Sequence, residues 1–404
     1  MTTAPTVRFL DRSTPPHIST LILLAGISAL NMSIFVPSLN GMATYFDTSY
    51  GIMQLSISGY LFATAFMQLF IGPVADRFGR RRVVLSALAI YVVATIGAML
   101  STTIEMFLVF RMCQAIVAAG IVLSRAIVRD MVPQDQAASM IGYVTMGMAL
   151  VPMFGPMIGG LMDQLFDWRA TFVLLTIAGL GVLALCFKDQ GETVAAGGMT
   201  FRDQVKAYPE LLRSPRFWGY SLASAFASGA FFAFLGGSSF VAGTVFNLSP
   251  LWTGITLGIP AIGYATGNFL SGRFSVRLGI NKMALIGSIV ITGGIGLGMV
   301  LALLGYNSAM LFFGFCTFLG LGNGLILPNV MAGTLSVRPH LAGTASGLSG
   351  AIMIGGGAAL SAIAGAFLNP AYGAIPLQII MFLTSLASLG AILFVIWREA
   401  KTTI

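Results

Sequence analysis

Arg111 is the residue of this chain whose position raises the sharpest chemical question. It sits in an apolar run that begins near Glu105, within Leu108-Val109-Phe110-Arg111-Met112-Cys113-Gln114. Arg111, Gln114, Ala118, Arg125 and Arg129 recur at intervals of three, four or seven residues, which places them on one face of a helix. Arg111 stands about four turns from Arg125 at 1.5 Å per residue, hence inside a bilayer if Arg125 marks its surface. An arginine there costs at least ~2.5 kcal/mol, so it should face a water-filled or protein-lined interior. The competing reading, an arginine snorkelling to the interface, rests on its lying little more than one turn past Glu105. A guanidinium stays charged at physiological pH and cannot itself exchange a proton. It can hold an anion or favour the charged form of a nearby carboxylate.

Carboxylates are scarce, and all 13 can be placed near a surface. Asp11, Asp76, Asp130, Asp135, Asp189, Glu192, Asp203, Glu210 and Glu399 fall on the side rich in arginine, and Asp47, Glu105, Asp163 and Asp167 on the other. None remains at mid-membrane. Glu105 is six residues from Arg111 on one helix and so points to a different face. Thr102 and Glu105 also have the spacing of a capping box. Asp163, at the end of the fifth apolar run, is the better partner for Arg111 if the two helices are adjacent. His17 and His340 lie outside the apolar runs, and Cys113, Cys186 and Cys316 show no metal spacing and read as small buried hydrophobes. The absence of a Walker loop excludes ATP as the energy source, and no cluster of His, Cys or acids suggests a metal. No cofactor is expected.

The elements that must position these groups follow from composition. With 404 residues, 57% hydrophobic and only 8% charged, and a mean hydropathy of +0.91, the chain has too little polar surface to cover a soluble globule. A spanning helix needs about 20 apolar residues. The runs divide into twelve spans at about 19–41, 51–72, 82–100, 105–128, 138–162, 168–187, 216–241, 250–271, 282–304, 308–331, 343–367 and 374–397. The fold class is therefore an all-α polytopic membrane protein. If both termini are cytoplasmic, 19 of the 21 Lys and Arg residues fall on that side and only Arg111 and Arg169 do not, as the positive-inside rule demands. The net charge of +8 then reports topology and anionic lipid, not nucleic acid. Trp168-Arg169 reads as an interfacial anchor at the outer face.

Between the second and third spans lies Gly72-Pro73-Val74-Ala75-Asp76-Arg77-Phe78-Gly79-Arg80-Arg81-Arg82, read as a tight charged turn. A topology signal would explain the arginines but not the Gly-x-x-x-Asp-Arg-x-Gly spacing. That spacing resembles the signature loop of major facilitator superfamily transporters, where it acts as a latch between helices. The resemblance implies two pseudo-symmetric six-helix halves and a latch made of Gly72, Asp76, Arg77, Gly79 and Arg80, with Asp130 at the end of the fourth span as a salt-bridge partner. Gly272, Arg277 and Gly279 repeat Gly72, Arg77 and Gly79 after 200 residues, but Val276 replaces Asp76, so a second latch is weaker. The organisation expected is an N-terminal half over 1–187, a cytoplasmic linker over 188–215 and a C-terminal half over 216–404.

The segment Phe35-Val36-Pro37-Ser38-Leu39 is similar to the first helix of the exporters named for bicyclomycin and chloramphenicol resistance, with Ser33 where many of those have an Asp. The phrase around Arg111 resembles the fourth-helix arginine motif linked to proton coupling. Gly155-Pro156-Met157-Ile158-Gly159-Gly160 resembles the fifth-helix motif associated with antiporters; its small residues permit close packing, and Pro156 bends the helix. Candidates for the substrate cavity are Asn31, Ser33, Phe35, Tyr60, Arg111 and Gln114 in the first half and Phe232, Asn268 and Asn323 in the second. Singly, an Asn or Ser in a span also serves as an interhelical hydrogen bond, and a Phe as core.

The resemblance implies secondary active efflux of small amphiphilic drug-like compounds across the bacterial inner membrane by alternating access, with protons as coupling ion. With no carboxylate at mid-membrane, coupling is expected to use an outer-side carboxylate, Asp163 ahead of Glu105 and Asp47, with Arg111 as the electrostatic switch. A monomer is expected. The missing mid-membrane carboxylate leaves open a uniporter or nutrient importer. An enzyme or channel would need a catalytic cluster or a symmetric pore repeat, and the sequence has neither.

Overall fold

The computed structural model describes residues 7–132, 134–193, 208–338 and 341–402. Twelve long helices make up these residues: α1 (Ile18–Tyr45), α2 (Tyr50–Phe78), α3 (Arg80–Met99), α4 (Ile104–Met131), α5 (Gln134–Leu165), α6 (Arg169–Asp189), α7 (Pro215–Val245), α8 (Pro250–Leu278), α9 (Ile280–Leu303), α10 (Ala309–Val337), α11 (Ala342–Phe367) and α12 (Ile375–Thr402). Ten are long and apolar enough to cross a membrane, and α5 and α8 match them in length at 32 and 29 residues. Helix starts follow from capping side chains. Ser214 and Ser249 each accept a backbone N–H from the first turn and are each followed by a proline that lacks one to satisfy.

Helices α1 to α6 pack mainly on one another, as do α7 to α12, and the two groups meet through α5 against α8 and α2 against α11. Because successive helices run in opposite directions, the starts of α1 and α7 and the ends of α6 and α12 share one end of the bundle, called here the terminal end. The opposite, distal end carries the α1–α2, α5–α6 and α7–α8 connections.

Three expectations change in detail. The charged stretch after Gly72 is not a turn: α2 continues as helix through Phe78, and Gly79 alone reverses the chain at φ +94°, matched by Gly279 at φ +85°. Only glycine takes that backbone conformation cheaply. Trp168 is 5% exposed and packs among Tyr45, Phe46, Phe107 and Phe172, so it plugs the first half instead of anchoring at an interface. Cys186 and Cys316 are buried, but Cys113 is exposed. Residues 194–207 of the linker, with Asp203, and His340 lie outside the described residues.

Candidate functional site

Two breaks in regular helix shape the interior of the first half. In α1, Pro37 has no N–H to donate, and Val36–Ser38 tighten into a 3₁₀ turn. In α4, regular helix stops at Cys113 and residues Gln114–Ala118 also form a 3₁₀ segment. The hydroxyl of Ser28 in α1 donates to the carbonyl of Val117 in that segment at 2.5 Å. Gly120 lets the two helices approach, since a Cβ there would run into the carbonyl of Leu24.

Arg111 lies directly before the α4 break and is fully buried. Its guanidinium carbon sits 4.3 Å from the Phe35 ring centroid and 4.1 Å from that of Tyr60, close enough for cation–π attraction to both rings. Nε donates to the Ser56 carbonyl at 3.1 Å, Nη1 to Asn31 Oδ1 at 3.1 Å and to Gln114 Oε1 at 2.7 Å, and Nη2 to the Asn31 carbonyl at 3.0 Å. Gln114 is oriented in turn by donating to Thr95 Oγ1 at 2.8 Å, and Thr95 donates to the Tyr91 carbonyl at 2.7 Å. Arg111 takes part in no ion pair among the described residues. A cation removed from water and answered by neutral oxygens and ring faces holds α1, α2 and α4 together and leaves a net positive charge inside the bundle.

The structure thus gathers Asn31, Phe35, Tyr60, Arg111 and Gln114 into one cage. Ser33 belongs to another contact: its hydroxyl donates to the Ala29 carbonyl at 3.3 Å and faces Gly155, where a Cβ would stand 3.0 Å away. Phe232 packs beside Phe231 and against Gly357 of α11. Asn268 donates to the Tyr264 carbonyl of its own helix at 2.9 Å. Asn323 is buried with neither amide atom hydrogen-bonded. Glu105 is an exposed residue of the first turn of α4, and the cap there is Thr103, one residue later than the sequence spacing suggests.

At the terminal end, Arg80 bridges Asp76 at 2.7 Å through Nη2 and Asp130 at 3.1 Å through Nε, tying α2, α3 and α4. Gly72 faces open space, and Arg77 lies over the Phe78 ring at 5.4 Å. One participant was missed from sequence: the Glu192 carboxylate accepts the backbone N–H of Arg80 at 2.8 Å and of Arg81 at 3.3 Å. An acid from the linker therefore caps the start of α3, where the helix dipole favours it.

At the distal end the halves are closed against each other. Asn40 donates to the Ser239 carbonyl at 2.7 Å, Tyr50 donates to the Gly236 carbonyl at 2.8 Å and accepts from Phe240 N, and Gln54 donates to the Ser361 carbonyl. Gln164 accepts from Ser249 and from Leu251 N. The glycine motif serves both kinds of contact. A Cβ on Gly159 would strike the Ile34 carbonyl of α1, within the first half, whereas one on Gly160 would strike the Pro250 carbonyl of α8, across the seam. Gly254 of α8 packs reciprocally on the Pro156 carbonyl. Asp163 lines a cavity of about 230 Å³ in this seam with Pro37, Asn40, Thr244, Pro250 and Thr253.

Comparison with known proteins gives a consistent picture. The model of the Major Facilitator Superfamily matches residues 21–362. An uncharacterised MFS-type transporter of Bacillus subtilis is 29% identical, with 92% of each chain covered. The bicyclomycin resistance protein homolog of Haemophilus influenzae is 29% identical over 87% of this chain and 89% of its own, and multidrug resistance protein D of Escherichia coli is 27% identical over 85% and 87%. In fold, the chain is similar to a bacterial homolog of the human lysosomal transporter spinster in an inward-facing, occupied conformation, with a TM-score of 0.73 at 18% identity, covering 95% of this chain and 96% of that one.

Proposed function

Because the chain belongs to the Major Facilitator Superfamily, a family of transporters and not enzymes, we propose that it exports small amphiphilic drug-like compounds from the bacterial cytoplasm by alternating access, in exchange for protons. The observation that carries the export reading is the nearly end-to-end match to the bicyclomycin-resistance and multidrug-resistance relatives. In this reading the protein is a monomer in the inner membrane, with the terminal end and both chain termini cytoplasmic, as the distribution of Lys and Arg favours. Residues 1–187 and 216–404 are the two halves that rock, joined by 188–215. With that orientation the distal seam is the outer side, and its hydrogen bonds support reading the structure as a state that loads from the cytoplasm.

The substrate cavity is lined from the first half by the Arg111 cage and from the second by Phe232, Asn268 and Asn323, with Ser33 on the α1–α5 contact. Gly155, Pro156, Gly159 and Gly160 form the sliding surface of the outer gate. Gly72, Asp76, Arg77, Gly79, Arg80 and Asp130 form the inner latch. Arg111 serves as the fixed charge of coupling, and Asp163 and Glu105 as the groups able to exchange a proton. A second reading, uniport or nutrient import without protons, is favoured by one observation: among the described residues, every hydrogen-bond acceptor of Arg111 is a neutral oxygen. Substrate-induced proton release in proteoliposomes, measured for the parent, Glu105→Gln, Asp163→Asn and Arg111→Ala, separates the two. Undiminished proton-coupled transport in all three variants would eliminate this set of coupling residues, and no release by the parent would establish the second reading.

A further inference from the structure

The cavity in the distal seam has walls from both halves. Pro37, Asn40, Gly41 and Asp163 come from α1 and α5, and Gly243, Thr244, Leu248, Pro250 and Thr253 from α7, α8 and the loop between them. Its volume of about 230 Å³ accommodates a small ion with several waters, given roughly 30 Å³ per water. A Cβ at Gly41 would meet nothing within 4 Å, so that wall leaves open space.

Asp163 is the charged group of this lining, half-buried and in no ion pair among the described residues. Asp167, one turn further on, is paired with Arg169 at 3.8 Å, so its charge is already partly answered. A carboxylate accepts and does not donate, and the threonine hydroxyls and the Asn40 amide around it supply further oxygens. Asn40 is held in place by its donation to Ser239, so its carbonyl oxygen is the amide atom left for the cavity. One carboxylate with neutral oxygens matches a single positive charge; all-oxygen ligation suits hard cations.

We infer that this seam cavity is a binding site for a small monovalent cation, either an alkali ion or a small organic ammonium, and that its occupancy holds the distal side shut. The second part follows from where the walls come from. A site assembled from both halves exists only while they are in contact, so its ligand stabilises the closed state by RT ln(1 + [L]/Kd) and must leave before the seam opens. Outer cations then act as a brake on opening. This step rests on the transporter reading for its consequence, but its test reads populations and not transport.

The test is a spin-label distance between Phe166→Cys and Met310→Cys, exposed positions at the distal ends of the two halves, in full-length protein with Cys113, Cys186 and Cys316 replaced by serine. Populations of closed and open seam are compared in sodium, potassium, methylammonium and bulky N-methylglucamine chloride at equal ionic strength. A small cation at ten times its Kd should raise the closed-to-open ratio about 11-fold over N-methylglucamine. Asp163→Asn should abolish that rise while its elution profile and melting temperature in N-methylglucamine match the parent. A response to sodium or potassium identifies an alkali site, and a response to methylammonium alone an ammonium site. Equal populations in all four salts, or a cation response retained in Asp163→Asn, would overturn the inference.

Discussion

Arg111 bonds Asn31 twice, through Nη1 to the side-chain oxygen at 3.1 Å and through Nη2 to the main-chain carbonyl at 3.0 Å, so α4 grips α1 where, among the described residues, no carboxylate pairs with the guanidinium. Arg111→Ala leaves Asn31 Oδ1, Gln114 Oε1 and the Asn31 carbonyl without their donor, at about 1–3 kcal/mol for each orphaned buried group. Arg111→Lys keeps the charge but loses the planar fork and the ring stacking. Both should lower the melting temperature in detergent, Ala more than Lys, and Lys should not restore transport. Parent-like stability and transport in Arg111→Lys would show that the charge alone matters.

Substrate charge is the second expectation. An interior whose deep charge is a cation without an ion-pair partner among the described residues disfavours cationic cargo. Neutral and anionic compounds should therefore be transported better than lipophilic cations. Asn31→Asp would place a carboxylate on Arg111 Nη1, neutralise that charge and shift the KM ratio toward cations by about tenfold, an energy of roughly 1.4 kcal/mol. A transport assay in which ethidium is the best substrate of the parent would contradict it.

The latch makes a kinetic prediction. Arg80 is shared between Asp76 and Asp130, and a hydrogen bond to a charged group contributes about 1.5–3 kcal/mol. Asp76→Asn weakens this tie far from the cage, so turnover should fall about tenfold while substrate affinity stays nearly unchanged. A large loss of binding with unchanged turnover would sink the assignment.

Two neighbouring glycines should behave differently. A methyl group at Gly159 strikes Ile34 inside the first half, whereas at Gly160 it strikes Pro250 across the seam. Gly159→Ala should lower the melting temperature. Gly160→Ala should instead open the distal side, seen as faster labelling of a cysteine placed at Asn40. Equal effects of the two on both readouts would refute the division.

The helix count and the first-half cage were legible because their signals are strong: long apolar runs, and polar residues that hydrocarbon penalises unless they meet each other. Asn31, Phe35, Tyr60, Arg111 and Gln114 could be named one by one for that reason. The α4 break was not legible, because Gln114–Ala118 contains neither Pro nor Gly. The cap supplied by Glu192 was also hidden, since it joins residues 112 apart in the chain. Trp168 was misread because Trp beside Arg suits an interface equally well. Only the packing of Tyr45, Phe46 and Phe107 around it distinguishes a plug from an anchor.

The most direct test of the export account is the steady-state accumulation of radiolabelled chloramphenicol and bicyclomycin in a pump-deleted bacterial host producing the protein. The account predicts lower accumulation of at least one compound than in the same host without the protein, with the difference erased by a protonophore and diminished in cells producing Arg111→Ala. Accumulation equal to or above that of the host without the protein for both compounds would contradict it.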